Sequence, residues 1–162
     1  MITIFTTGGT FDKVYFDANS KFHIGESQVE PILKEGNVTI DYTVESLLRK
    51  DSLEITDEDR QLLCERVKSS DTQHIIITHG TDSMSSTAKA LAAHGINGKT
   101  VVLVGAMQPA RMRVTDAPFN LGFACAAVQL LPSDIYIAMC GQVFQHDNVK
   151  KNLEVGRFEK ES

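Results

Sequence analysis

The chain has 162 residues, 42% of them hydrophobic and 23% charged, with a formal net charge of −5. That length suits a single domain with one core. The acidic balance, with Lys and Arg scattered, leaves no basic footprint for nucleic acid or an anionic membrane, and no apolar run reaches the length of a membrane span.

Met1–Thr6 is β-rich and stops at Thr7-Gly8-Gly9-Thr10. It has no basic leader or cleavage site, so it reads as a strand and not a signal peptide. Phe11–Ile24 alternates loosely around the turn formers Asp17-Ala18-Asn19-Ser20, which predicts a hairpin or mobile loop. Glu26–Lys34 reads as a helix ended by Gly36, and Val38–Val44 as a strand. Thr56 with Asp59 three residues on predicts a capped helix start, followed by Leu62, Leu63, Arg66 and Val67 at helical spacing. His74–Thr78, Thr100–Val104 and Ile135–Cys140 are continuous apolar runs of the kind buried on both faces of a sheet. Ser83–His94 and Pro118–Leu131 read as the helices between them, the second carrying small residues suited to close packing. Alternating strands and helices predict an α/β fold with a three-layer, doubly wound, mostly parallel sheet of Rossmann-like or flavodoxin-like type, and residues 1–162 as one domain.

In such sheets ligands bind outside the carboxyl ends of the strands. Three polar, glycine-flanked turns are expected there: Thr7-Gly8-Gly9-Thr10, His79-Gly80-Thr81-Asp82-Ser83 and Gly105-Ala106-Met107. Glycine lets backbone amides approach a ligand closely. Thr10 and Thr81 offer hydroxyls, Asp82 a carboxylate, and a nearby lysine a base, which together fit attack on a carbonyl carbon. Neither G-x-G-x-x-G nor G-x-x-x-x-G-K-[ST] occurs, which argues against a phosphate or nucleotide binder. His79 reads as a structural hydrogen-bonder. The five histidines and three cysteines show no metal-ligand spacing, so no metal or other cofactor is expected. Cys64, Cys125 and Cys140 read as reduced, buried core residues, and an odd count points to a cytoplasmic home.

The turn Thr7-Gly8-Gly9-Thr10 after an N-terminal strand and His79-Gly80-Thr81-Asp82-Ser83-Met84 after Ile75-Ile76-Ile77-Thr78 resemble the two signatures of bacterial-type L-asparaginases. Val104–Pro109 and Asp116–Leu121 resemble that family's following segment, so the likeness covers nearly all of the sequence. It implies a small-amide hydrolase with Thr10 as nucleophile, supported by Thr81, Asp82 and a lysine. Asp147-Asn148-Val149-Lys150-Lys151-Asn152 resembles the family's lysine segment and assigns Lys150, with Lys151 one residue away. Lys13 and Lys89 fit less well. The resemblance also implies that Ser52 binds the substrate carboxylate with Thr81 and Asp82. Gly9 and Gly80 would sit against the ligand, and the Ala106 carbonyl would accept from the scissile amide. Leu53 stands where the family has a polar contact to the α-amino group. Phe22 aligns with the family's loop tyrosine, so Tyr15 on the same loop is the substitute. The family's C-terminal domain is not expected beyond this lysine, which predicts weak discrimination for the α-amino group and a homodimer or higher homo-oligomer. The alternative is a non-catalytic module that binds an amide or acidic small molecule.

Overall fold

In the computed structural model, which describes residues 1–16, 18 and 21–161, the first strand β1 (Ile2–Gly8) is buried along its whole length. Six strands among the described residues form one sheet: β1, β4 (Tyr42–Lys50), β5 (His74–Thr78), β6 (Thr100–Val104), β7 (Ile135–Met139) and β8 (Gln142–Gln145). Their spatial order is β4-β1-β5-β6-β7-β8. The first five are parallel and β8 is antiparallel to β7. Side chains of successive strand residues point to opposite faces, so complete burial of β1, β6 and β7 means that both faces are covered. The helices that cover them are α1 (Val29–Glu35), α2 (Asp57–Ser69), α3 (Met84–Ala93) and α4 (Ala117–Leu130). Helix α4 lies along β5, β6 and β7, and α2 packs against α3. This is the α/β layered sheet that the alternating pattern predicts.

Several boundaries differ from the sequence reading. The second strand runs Tyr42–Lys50, not Val38–Val44. Its register, Ile2 opposite Tyr42 and Gly8 opposite Lys50, is imposed by β1. As an edge strand it is only half buried, so its apolar signal is diluted, while Val38 and Ile40 pack onto the core from the preceding loop. The run Ile135–Cys140 stops at Met139, because Cys140 (φ 55°) and Gly141 (φ 72°) form a two-residue turn into β8. Two positive φ values match a type I′ hairpin. Cys64 and Cys125 are buried as expected, but Cys140, at this turn, is exposed.

The loop after β1 is a hairpin, β2 (Lys13–Phe16) paired with β3 (Lys21–Ile24). Asp17, Asn19 and Ser20 of its expected turn lie outside the described residues. The capped start of α2 is as read: Thr56 Oγ1 accepts from the Asp59 amide at 3.2 Å and the Asp59 carboxylate accepts from the Thr56 amide at 2.9 Å. A second capping box, Asp51 with Glu54, closes a short 3-10 turn after β4. A last hairpin, β9 (Lys150–Asn152) with β10 (Arg157–Glu159), has no counterpart in the sequence reading and is anchored by buried Val149 and Phe158.

Counting only the parallel strands, their order is 2-1-3-4-5, and β1 and β5 flank the point where the connections change direction. At that point Gly9 has φ 77°, and a Cβ placed on it would collide with the backbone of Gly80. Gly9→Ala therefore combines left-handed strain with a steric clash, and should lower the unfolding free energy by about 2–5 kcal/mol. Urea denaturation midpoints measure this; an unchanged midpoint would mean that the two loops are not in contact.

Candidate active site

Four neighbouring strands deliver their carboxyl-end loops to one edge of the sheet. The loop after β1 supplies Gly9 and half-buried Thr10, which opens a 3-10 turn over Thr10–Asp12. The Gly9 amide donates to the Lys50 carbonyl at the end of β4 at 2.9 Å. The loop after β4 supplies Asp51, buried Ser52 and exposed Leu53. The loop after β5 supplies His79 to Ser83, with Thr81 buried. The two loops are tied directly: Ser52 Oγ accepts from the Asp82 amide at 3.2 Å, and Ser83 Oγ donates to the Ser52 carbonyl at 2.6 Å. Gly80 is required at this junction, because a Cβ there would fall on the side-chain atoms of Ser52.

The lysine that reaches this edge is Lys151, not Lys150. Lys151 Nζ donates to Thr81 Oγ1 at 2.8 Å and to Asp82 Oδ1 at 2.6 Å. The correction follows from the period of strand β9. Lys150 and Asn152 share one face, where Lys150 lies 3.6 Å from Glu159 and Asn152 Nδ2 donates to the same carboxylate at 3.2 Å. Lys151, between them, points to the opposite face. Tyr15 stacks edge-to-face on Phe22, centroids 5.6 Å apart. It lines a hollow of about 260 Å³ with Pro109, Arg111 and Met112, whereas Phe22 also lines a larger hollow that reaches Asp82.

The loop after β6 is held by groups that the sequence reading did not single out. The Asp116 carboxylate accepts from the amides of Met107 at 2.9 Å and Gln108 at 3.0 Å. Asn120 Nδ2 donates to the Gly105 carbonyl at 3.0 Å and to Asp116 at 2.9 Å. Both lie at the start of α4, one turn apart, and fix the peptide segment around buried Ala106. The signal was present as Asp116-x-x-x-Asn120, the i,i+4 spacing that puts two polar groups on one helix face.

His79 is fully buried and bonded on both sides. The Gly80 carbonyl can only accept, so Nδ1 carries the proton and donates to it at 2.7 Å. Nε2 then accepts from the Thr87 hydroxyl at 2.8 Å, and Thr87 accepts from Arg60 Nε at 3.1 Å. Burial pushes the imidazole down to about 4, against the opposing Gly80 bond and with help from Arg60. His79 is thus a neutral structural link. Asp12 is its acidic counterpart. Its Oδ1 accepts from the Gln28 amide at 2.9 Å, and burial raises it to about 6 despite that bond and Arg49. Its carbonyl accepts from Gly25 at 2.8 Å, so this residue fastens both ends of the β2–β3 hairpin. Asp51 is partly desolvated, which opposes ionisation, but bonds from Lys13 and the Leu53 amide and the fields of Lys13 and Lys151 hold it below the usual carboxylate range. Among the described residues no group of three or more His, Cys, Asp or Glu is placed to hold a metal ion.

A doubly wound sheet with two threonine-bearing loops at its switch point, one gripped by a lysine, defines a layered α/β domain whose candidate site is built from loops at the carboxyl ends of its strands. The chain belongs to the asparaginase family: the model of the asparaginase N-terminal domain matches residues 1–157. It is 34% identical over 136 residues to a probable periplasmic L-asparaginase of Haemophilus influenzae, covering 74% of this chain and 36% of that protein. It is 35% identical over 130 residues to L-asparaginase 2 of Escherichia coli, with the same two coverages of 74% and 36%. The structure of a probable cytoplasmic L-asparaginase from Campylobacter jejuni superposes with a TM-score of 0.83 at 28% identity, over 98% of this chain and 52% of that one. The chain therefore spans about a third to a half of the length of these proteins.

The two buried groups make opposite demands on pH. Unfolded His79 protonates near 6.5 and folded His79 only near 4, so acidification through that window favours unfolding. Folded Asp12 is protonated below about 6 and the unfolded carboxyl only below 3.8, so acidification favours folding. Each titration is worth about 3 kcal/mol, and the two nearly cancel. Asp12→Asn removes one side. Its stability should fall by about 3 kcal/mol more than that of the parent protein between pH 6.5 and 4. Parallel pH curves for the two proteins, from urea melts, would refute the assignment.

Proposed function

We propose that the chain hydrolyses a small carboxamide of the L-asparagine type to the acid and ammonia, with Thr10 as nucleophile. The observation that carries this reading is the bridge from Lys151 to Thr81 Oγ1 and Asp82 Oδ1. An amine bonded to a buried hydroxyl, one loop away from Thr10, supports a proton-transfer role for the pair. A threonine hydroxyl is a weak nucleophile unless a neighbouring base takes its proton. In the first step Thr10 Oγ bonds to the amide carbon, the C–N bond breaks, and the hydroxyl proton leaves with the nitrogen as ammonia. In the second, water attacks the resulting ester, giving the carboxylic acid and restoring the hydroxyl. The Lys151–Thr81 pair relays the protons. The backbone amide of Gly80 is the candidate for stabilising the oxyanion, with Gly9, whose own amide is held by Lys50, and Ser52, Thr81 and Asp82 the candidates for seating the rest of the substrate. The carbonyl of Ala106 is the candidate acceptor for the scissile amide.

A cytoplasmic setting and self-association belong to the same reading. Cys64, Cys125 and Cys140 are free thiols, and no helix of the described residues is long and apolar enough to cross a membrane. Helix α4 is apolar around its circumference, with Phe119 63% and Leu130 82% exposed, and such faces are normally covered. Light scattering at micromolar concentration should give twice the protomer mass or more; a monomer that still releases ammonia would remove self-association from the reading.

Thr10→Ala should reduce ammonia release by roughly 10³-fold or more while the protein stays folded. Lys151→Met should cost roughly 10²–10⁴-fold, and Lys150→Met, whose amine faces Glu159, should leave turnover near that of the parent. Substantial activity in Thr10→Ala would exclude it as nucleophile. Binding of amides without any ammonia release by the parent protein would instead identify a non-catalytic module.

A further inference from the structure

The loop after β6 is tied to both threonine-bearing loops. Its first residue, Gly105, lies against the Thr81 side chain and the His79 carbonyl without room for a Cβ. Further on, the Ala110 amide donates at 3.1 Å to the carbonyl of Phe11, the residue after Thr10. Between these anchors the backbone is held by side chains. Met139 Sδ accepts from the Gly105 amide at 3.3 Å, and Asn120 Nδ2 donates to the Gly105 carbonyl at 3.0 Å. Asp116 Oδ1 accepts from the Met107 and Gln108 amides at 3.1 and 3.0 Å, and Thr115 Oγ1 donates to the Gln108 carbonyl at 2.9 Å. Ala106, in the middle, is 1% exposed, yet neither its amide nor its carbonyl has a hydrogen-bond partner among the described residues. Buried peptide groups are nearly always paired, so unpaired ones at the candidate site point to a partner on the ligand.

A carbonyl can only accept. It pairs with the N–H of a carboxamide, but an ester or carboxylate oxygen opposes it and leaves it unpaired, which is costly. As the scissile C–N bond breaks, the nitrogen gains a proton and positive charge, and its bond to the acceptor strengthens. The gain is largest when the carbonyl is fixed before the substrate arrives. We propose, resting on the threonine-hydrolase reading above, that Asp116 and Asn120 are positioning residues. By holding the peptides on either side of Ala106 they fix its carbonyl against the leaving group, and so set a preference for an amide over an ester of the same acid. The chemistry is otherwise shared. Thr10 Oγ bonds to the acyl carbon; with the amide the C–N bond breaks and ammonia carries away the hydroxyl proton, and with a methyl ester the C–O bond breaks and methanol carries it.

L-Asparagine and the β-methyl ester of L-aspartate deliver the same acyl group to Thr10 and differ only in what leaves. The test compares kcat/KM for ammonia and methanol release by the parent protein, Asp116→Ala, Asp116→Asn and Asn120→Ser, with folding checked by circular dichroism. In Asp116→Ala the amide-to-ester ratio should fall about tenfold or more, with most of the loss in amide turnover. Asn120→Ser should shift the ratio the same way. Asp116→Asn keeps one oxygen for both backbone amides, as Oδ1 serves them now, and should restore the ratio to within about threefold of the parent. The ratio does not depend on how much of a variant is folded. Equal losses toward both substrates, or no loss toward either, overturn the inference and leave the hydrolase reading standing. Failure of both Asp116→Ala and Asn120→Ser to fold also overturns it, because the two residues would then serve the fold. No ammonia from the parent protein overturns the hydrolase reading as well.

Discussion

The candidate site at the carboxyl edge of the sheet depends on backbone contacts that only glycine permits. Gly9 lies against Gly80, Gly80 against Ser52, and Gly105 against the carbonyl of His79, each too close for a Cβ. The loops are thus stacked peptide on peptide, which brings the carboxyl ends of β4, β1, β5 and β6 within reach of one small ligand. Side chains then lock what glycine allows. Ser52 bonds the Asp82 amide, Ser83 bonds the Ser52 carbonyl, and Thr7 Oγ1 donates to the Thr78 carbonyl at 2.8 Å across β1 and β5.

The buried ionisable groups serve the same end. His79 extends a series of hydrogen bonds from Arg60 on α2 through Thr87 on α3 to the Gly80 carbonyl. It fixes the peptide next to Thr81 by means of helices on the far side of the loop. Asp12 does the equivalent for the hairpin, holding Gln28 and Gly25. Neither shares a hydrogen bond with the Lys151–Thr81–Asp82 cluster among the described residues. Each instead trades a desolvation cost for a fixed backbone direction, which is what a preorganised site requires.

Much of this was legible in the sequence because fully buried parallel strands leave continuous apolar runs. His74–Thr78 and Thr100–Val104 match their strands residue for residue. The capping pattern at Thr56 was equally direct. What local pattern does not show is structure set by partners. Strand β4 takes its register from β1, and its half-exposed face hides its bounds. The Cys140-Gly141 turn forms because β8 pairs back onto β7, where the glycine alone reads as a stop. The lysine falls one residue early in the sequence reading because no strand is expected at 150–152. Once β9 is recognised, its two-residue period separates Lys150 from Lys151 without further information.

That separation shows how the candidate site is joined by a distant part of the sequence. Lys151 lies 70 positions from Thr81, and its direction is set by a three-residue strand with little intrinsic stability. The strand is held because Phe158, paired opposite Lys151, and neighbouring Val149 are both about 1% exposed. On its other face, Glu159 gathers Lys150 and Asn152. One face of β9 therefore neutralises its own charge within the hairpin, and the other delivers a single amine to a hydroxyl and a carboxylate. Two adjacent lysines of the same composition acquire different surroundings from the pleat of the strand alone.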